Sequence, residues 1–335
     1  MSLKNKSVLV TGGAGFIGSH LVDRIIKEKP DNLVVVDDFS LGKERNLVLA
    51  KQNYPELKVY RQNATRMSRM ESILEKESVD VVFNLAIVPL PECLSKPKLA
   101  YDTNVKLTSV LCELARKGYY RTLIHYSSSE AYGDAIDVPM TEEHPLNPTT
   151  PYGASKIASD HLVLSYILTF GIDVSIVRPF NAFGPRQNEK FYSAVIPLNI
   201  RRIIHRKPPI IHGDGLQTRD FTYVSDLVDA TIRIYDVKAT RGKVLNIASG
   251  GETTIKDLLS RIAKLMNYNK PAIYTDRRPG DVRRFFGSNL LAKTLIGYEP
   301  RVSLEEGLEL TVGWYYNLFN GRALKLIQEI DEIDL

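Results

Sequence analysis

The sequence predicts a doubly wound α/β fold, a parallel sheet with helices on both faces followed by a smaller mixed α/β unit. Three observations carry that expectation. Short apolar runs alternate with longer amphipathic segments through the first half of the chain. A glycine-rich turn, TGGAGFIG (11–18), separates the first apolar run from the first amphipathic segment. An acidic residue closes the second run, about 20 residues further on.

Taken in order, SVLVTGG (7–13) reads as a buried strand and FIGSHLVDRIIKEK (16–29) as a helix with apolar positions at helical spacing. Further strands are expected at 32–38, 57–63, 79–86, 121–129 and 172–181. Long helices are expected at 99–118 and 152–171, the second stopped by Gly171 just past its end. After Asn181 the rhythm changes. Pro185, Pro197, Pro208 and Pro209 break up the segments, and Gly213 and Gly215 mark a turn. The expected division is therefore 1–181 and 182–335, with some later segments returning to pack on the first part. The stretch after Asn320 reads as a charged helix without evident chemistry.

The bulk numbers narrow the function classes. A chain of 335 residues with 44% hydrophobic content can bury a large core. Its net charge of +5 is mild and suits anionic ligands such as phosphates. Basic residues cluster only briefly, at Arg201-Arg202 and Arg277-Arg278, so no nucleic-acid partner is expected. Cys93 and Cys112 show neither CxxC nor metal-ligand spacing, so neither a metal nor a disulfide framework is expected. A reducing cytosol is the default for such usage. With no leader-like segment and no apolar run of membrane-spanning length, the expectation is a soluble cytoplasmic protein without a membrane partner.

Gly12, Gly15 and Gly18 suit a turn whose backbone lies against a pyrophosphate at a helix N-terminus. A glycine triplet alone is weak evidence. Here a strand precedes it, a helix follows it, and Asp37, with Asp38 beside it, stands where a ribose-binding acid belongs. A carboxylate there accepts bonds from ribose hydroxyls and repels a 2′-phosphate, so NAD is expected rather than NADP. Tyr152 and Lys156 are four residues apart at a helix start and share one face. A phenol ordinarily titrates near ~10, and a neighbouring ammonium favours its phenolate. Tyr152 could then take a proton from a sugar hydroxyl while hydride leaves the same carbon, with Ser128 bonding the same oxygen.

Together TGGAGFIG, the Asn104 segment, SSSEAYG, PYGASK, RPFNAFGPRQ, GDGLQTRDFTYVSD and RPGD resemble the nucleotide-sugar epimerase/dehydratase branch of the extended short-chain dehydrogenases/reductases. The resemblance runs from about residue 7 to 315. It implies a retained NAD that oxidises the sugar at C4 and usually returns the hydride. It also implies a catalytic set of Ser128, Tyr152 and Lys156, and a cofactor set that includes Phe16, Ile17, Asn63, Ala64, Leu85, Ala86 and Asn104. Arg178 and Pro179 are expected near the nicotinamide, Ser129 and Asn181 at the sugar, and Arg219 and Arg278 at the nucleotide diphosphate. Two positions depart from the pattern. The third strand ends in Gln62-Asn63 where Gly-Asp is usual. The loop LAIVPLP (85–91) carries prolines where many relatives have a lysine or histidine.

Within SSSEAYG, Ser129-Glu130 matches the dehydratases of this branch more than its epimerases, whose equivalents are commonly small and uncharged. Once C4 is a ketone its neighbouring C5 proton is acidified, and a carboxylate can remove it as water leaves C6. Glu130 is therefore the candidate general base of an NDP-sugar 4,6-dehydratase. A 4-epimerase of the UDP-hexose type, a UDP-glucuronate decarboxylase and a non-catalytic sensor of NAD or nucleotide sugars stay open beside it. The intact Ser128–Tyr152–Lys156 set argues against the sensor. Helices 99–118 and 152–171 are apolar around much of their circumference (Leu162, Leu164, Tyr166 and Leu168 in the second). The resemblance implies that they pair across a two-fold axis as a four-helix bundle, making a homodimer.

Overall fold

The computed structural model describes residues 2–189 and 194–319. The expected helix after Asn320 lies outside them. In chain order the elements are β1 (Ser7–Thr11), α1 (Phe16–Lys27), β2 (Asn32–Asp37), α2 (Val48–Asn53), β3 (Lys58–Arg61), α3 (Met67–Lys76), β4 (Val81–Asn84), α4 (Leu90–Ser95), α5 (Pro97–Arg116), β5 (Thr122–Tyr126), α6 (Pro151–Phe170) and β6 (Asp173–Pro179). There follow α7 (Val195–Ile204), β7 (Ile210–His212), β8 (Thr218–Arg219), α8 (Val224–Asp236), β9 (Val244–Ile247), β10 (Thr253–Thr254), α9 (Ile255–Leu265), β11 (Ile273–Thr275), α10 (Leu290–Ile296) and α11 (Leu304–Phe319).

Seven strands form one sheet in the order β3-β2-β1-β4-β5-β6-β9, and all its pairings are parallel. Strands β1, β4 and β5 are buried throughout, which explains their near-continuous apolar runs. One face is covered by Leu21, Val22 and Ile25 of α1 and Leu227, Val228 and Ile232 of α8. The other is covered by Met70 and Ile73 of α3, Leu107 and Leu111 of α5, and Val163 of α6. Strand order reverses between β1 and β4, so a crevice opens at the carboxyl ends of these strands.

The chain after Asn181 does not stay apart. Strand β9 adds the seventh strand beside β6, and α8 packs on α1. The remainder builds its own core from Phe183, Ile196, Ile200, Phe221, Leu258 and Trp314. Helix α6 begins with Thr150 Oγ1 accepting from the Gly153 amide at 3.1 Å, and Pro151 occupies its first turn. It ends at Gly171, whose φ of 67° suits the residue without a Cβ. Among the described residues no helix is long and apolar enough to cross a membrane.

Candidate active site

A cavity of about 570 Å³ follows the carboxyl edge of the sheet, from the glycine-rich turn to the second half of the chain. Its first end is built for a phosphate. Gly12 has φ 70°, and a Cβ there would come within 2.7 Å of the Ala86 amide nitrogen. The N-cap of α1 is Gly15, which offers no side chain to the first amides of the helix. Those amides and the helix dipole are left to an anion. At the end of β2, Asp37 Oδ2 accepts from the Ala14 amide at 2.9 Å and Oδ1 from the Phe39 amide at 2.8 Å. Asp38 is exposed and accepts from the Ser40 amide at 2.9 Å. These groups fit a dinucleotide, with its pyrophosphate on α1 and its ribose at the carboxylates.

Phe16, Ile17, Gly18, Asn63, Ala64, Leu85, Ala86 and Pro179 also line this cavity. Asn63, which replaces the usual aspartate, uses its Oδ1 to cap the following turn through the Thr65 amide and hydroxyl. Two expected cofactor residues do not line it. Asn104 is buried on α5, holds Val88 through both its backbone groups, and donates to Ser155 Oγ at 3.0 Å. Arg178 is buried against Asp160, its guanidinium 4.6 Å from the Tyr132 ring centre. Both support the residues that form the wall.

The catalytic candidates converge where β5 ends. Ser128 starts a short 3-10 turn, Ser129–Ala131, by accepting from the Glu130 amide at 3.2 Å. That turn lies directly against α6, and a Cβ on Gly153 would collide with the Glu130 carbonyl. Glycine between Tyr152 and Lys156 thus sets how closely Glu130 approaches the pair. Ser128, Ser129, Glu130, Tyr152 and Lys156 all line the cavity.

Burial decides the electrostatics here. It pushes the Tyr152 phenol far up, against the hydrogen bond from Ser128, with Glu130 adding to the rise. It pulls Lys156 down to about 8, against the upward pull of Asp160. Lys156 Nζ donates to the Tyr126 carbonyl at 2.8 Å. Burial also raises the Glu130 carboxyl above its ordinary range, opposed by Arg219 and reinforced by Asp281. Glu130 makes no ion pair among the described residues.

Asn181, Arg219 and Arg278 line the far end. Arg219 is nearly buried, donates to the carbonyls of Thr218 (2.7 Å) and Val282 (2.9 Å), and pairs with Asp281. Lining residues that sequence reasoning did not single out include Arg186, Asn188, His212, Phe221 and Asp281. Arg186 and Asp281 stand in FGPRQ and RPGD, so the motifs were a signal. Phe221 stands in GDGLQTRDFTYVSD as well, whereas His212 lies just outside that motif and arrives through tertiary packing.

A parallel dinucleotide fold with a serine, tyrosine and lysine at one cavity defines a short-chain dehydrogenase/reductase of the extended kind. The chain belongs to the NAD dependent epimerase/dehydratase family, whose model matches residues 8–248, and NAD is its cofactor. It is 32% identical over 311 residues to a UDP-glucose 4-epimerase of Mycolicibacterium smegmatis, covering 92% of this chain and 98% of that one. It is also 32% identical over 343 residues to a dTDP-glucose 4,6-dehydratase of Haemophilus influenzae, covering 95% and 99%. The crystal structure of a Thermotoga maritima UDP-glucose 4-epimerase with UDP-glucose superposes with a TM-score of 0.88 at 32% identity, covering 93% and 99%. Relatives of both reaction types stand at the same distance.

Proposed function

We propose that this protein is a nucleotide-sugar 4,6-dehydratase in which Glu130 is the general base. The observation that carries the reading is a carboxyl lining the cavity beside Ser128 and Tyr152, raised by burial and without an ion-pair partner among the described residues. A carboxylate raised in this way is a stronger base than an exposed one.

NAD, when bound, supplies the hydride acceptor for C4 and later returns the hydride. Tyr152 accepts the C4 hydroxyl proton, with Ser128 bonded to the same oxygen and Lys156 supplying positive charge beneath it. The resulting ketone acidifies C5. Glu130 takes that proton as the C6–O bond breaks and passes it to the departing hydroxyl, which leaves as water. With the hydride that NAD would return received at C6, a solvent proton at C5 and the Tyr152 proton released to solvent, the product is a 4-keto-6-deoxy sugar. Arg219 and Arg278 hold the nucleotide diphosphate, where a guanidinium can grip two oxygens. Asn181 and Ser129 face the sugar, and the chain after Asn181 supplies most of the nucleotide-sugar side.

A second reading, a 4-epimerase, is favoured by one observation. Ser129 stands where some dehydratases keep a second acid, and a serine protonates a leaving hydroxyl poorly. Glu130 then only binds a sugar hydroxyl. The test is a panel of UDP-, dTDP-, GDP- and CDP-sugars in heavy water. Loss of one water with deuterium at C5 supports the dehydratase. An isobaric product inverted at C4, free of solvent deuterium, supports the epimerase.

We also propose a homodimer through α5 and α6 in a reducing cytosol. Leu99 and Tyr101 on α5, and Leu168 and Phe170 on α6, leave large apolar surface exposed. Burial pushes the free thiols of Cys93 and Cys112 up, which keeps them unreactive. A concentration-independent monomer in sedimentation would defeat the dimer.

A further inference from the structure

Among the described residues, two lysine or arginine side chains line the adenosine end of the cavity, and both are already matched by carboxylates. They are Arg186 and Lys43. Arg186 donates to Asp23 of α1 at 2.6 Å. Lys43 Nζ donates to Glu189 Oε2 at 2.6 Å, and Arg45 donates to Glu189 Oε1 at 2.8 Å. The Glu189 side chain is only 2% exposed, and it belongs to the segment after β6, across the groove from β2. Burial alone would raise its carboxyl, but the bonds from Lys43 and Arg45 outweigh burial and hold it below the usual range.

The position of Lys43 gives this pairing its meaning. Gly42 packs so closely on Asp37 that a Cβ would sit 2.6 Å from Oδ1. Lys43 follows directly, and its amide donates to the Ala14 carbonyl at 3.0 Å, anchoring the loop to the glycine-rich turn. A lysine beside the ribose carboxylate is well placed to take a phosphate on that ribose. Arg61 also acts on the Asp37 carboxyl, but it lies over the Phe39 ring at 4.2 Å, is paired with Glu44 and does not line the cavity. Asp37 and Asp38 carry no ion pair among the described residues. NAD and NADP differ only by a phosphate at this ribose.

We propose that Glu189 is a specificity-determining residue for the dinucleotide. By holding Lys43 and Arg45 from across the groove, it leaves the adenosine-ribose end without a lining cation free to take a 2′-phosphate among the described residues. Asp37 repels that phosphate, and Glu189 removes what would otherwise offset the repulsion. The segment leading to Glu189 is tied at two points: His20 meets the Pro185 carbonyl at 3.0 Å, and Tyr315 donates to the Gln187 carbonyl. The carboxylate is thus held in place before any cofactor arrives.

The test is calorimetric titration of nucleotide-stripped full-length protein with NAD and with NADP. Glu189→Gln should tighten NADP at least about tenfold while NAD changes less than about threefold, because Lys43 and Arg45 then lose their shared counter-charge and only NADP carries the 2′-phosphate. Equal changes for both cofactors, or none, would overturn the proposal. Adding Lys43→Met to Glu189→Gln should cancel the gain, and a gain that persists would overturn it. Lys43→Met alone keeps the proposal testable even where Glu189→Gln does not fold. It should leave the preference between the two cofactors within about threefold, since Lys43 is already occupied. A tenfold loss of NADP binding from that single change would show Lys43 to be available all along.

Discussion

Arg178 and Asp160 form an ion pair at 2.6 Å, each side chain only 2% exposed, directly beneath the end of β5. Ser127 donates to the same carboxylate oxygen at 2.6 Å. The other oxygen, Asp160 Oδ1, lies 3.8 Å from His125 Nε2, and neither atom has a hydrogen-bond partner. His125 Nδ1 meets Asn84 at 3.0 Å, and Asn84 accepts from Thr11 at 2.8 Å. A polar chain thus runs through the core from the strand before the glycine-rich turn to the helix carrying Tyr152 and Lys156. Asp160→Asn leaves a buried guanidinium without its counter-charge. It should cost about 3–5 kcal/mol in urea unfolding, and Arg178→Met a similar amount. Replacing both partners by apolar groups should cost much less, since the expense lies in stranding one charge.

His125 makes the stability depend on pH in a definite direction. Burial pulls its pKa down to about 3, with Lys156 adding to the fall and Asp160 opposing it. The unfolded chain takes up this proton near ~6.5, whereas the folded protein refuses it until much lower pH. The stabilisation is present above the unfolded value and is lost as pH falls from there toward about 3. His125→Gln should flatten the decline of unfolding free energy in that window by up to about 1.4 kcal/mol per pH unit. Parallel curves for the two proteins would contradict the assignment.

Turnover should show two limbs. Lys156, lowered to about 8, acts as a cation, so activity should fall as pH rises through that value. Glu130 acts as a base, so activity should also fall on the acid side, at a pH above the ordinary carboxylate range because burial raises its carboxyl. In Lys156→Arg the residual activity should lose its alkaline fall, because a guanidinium stays charged. A pH–rate profile of C4 oxidation measures this.

Gly153→Ala tests the spacing between helix and turn. Its Cβ would drive into the Glu130 carbonyl, which is backbone and cannot swing aside. The turn Ser129–Ala131 must shift, carrying Ser128 and Glu130 away from Tyr152. Turnover should fall by about a hundredfold with the fold retained, as displacements of about 1 Å commonly cost that much. Near-normal kinetics would mean that the approach of the turn is not critical.

Much of this site was legible in the sequence because its residues are local. TGGAGFIG, Asp37 and the Tyr152–Lys156 spacing each report a backbone geometry within one strand-to-helix unit. What escaped depends on distant partners. Glu189 meets Lys43 and Arg45 across more than 140 residues, and Asp160 meets Arg178 through α6 and β6. Strand β9 escaped because its four residues, Val244–Ile247, bear no period of their own and are recruited by the free edge of β6. Arg178 and Asn104 were placed at the cofactor by motif, yet both spend their hydrogen bonds inside the wall. Tyr152 and Lys156 both line the cavity, but a spacing cannot report how far burial raises a phenol.

The central claim is that Glu130 removes the C5 proton and takes no part in oxidising C4. It is tested by mixing NAD-loaded Glu130→Gln with the nucleotide sugar that the unsubstituted protein consumes, following nicotinamide absorbance and product mass in one turnover. Reduced nicotinamide should accumulate and persist, with no loss of water and no deuterium from heavy water at C5. Normal elimination by the variant, or C4 inversion at the unsubstituted rate, would contradict the account and make Glu130 a sugar-binding side chain.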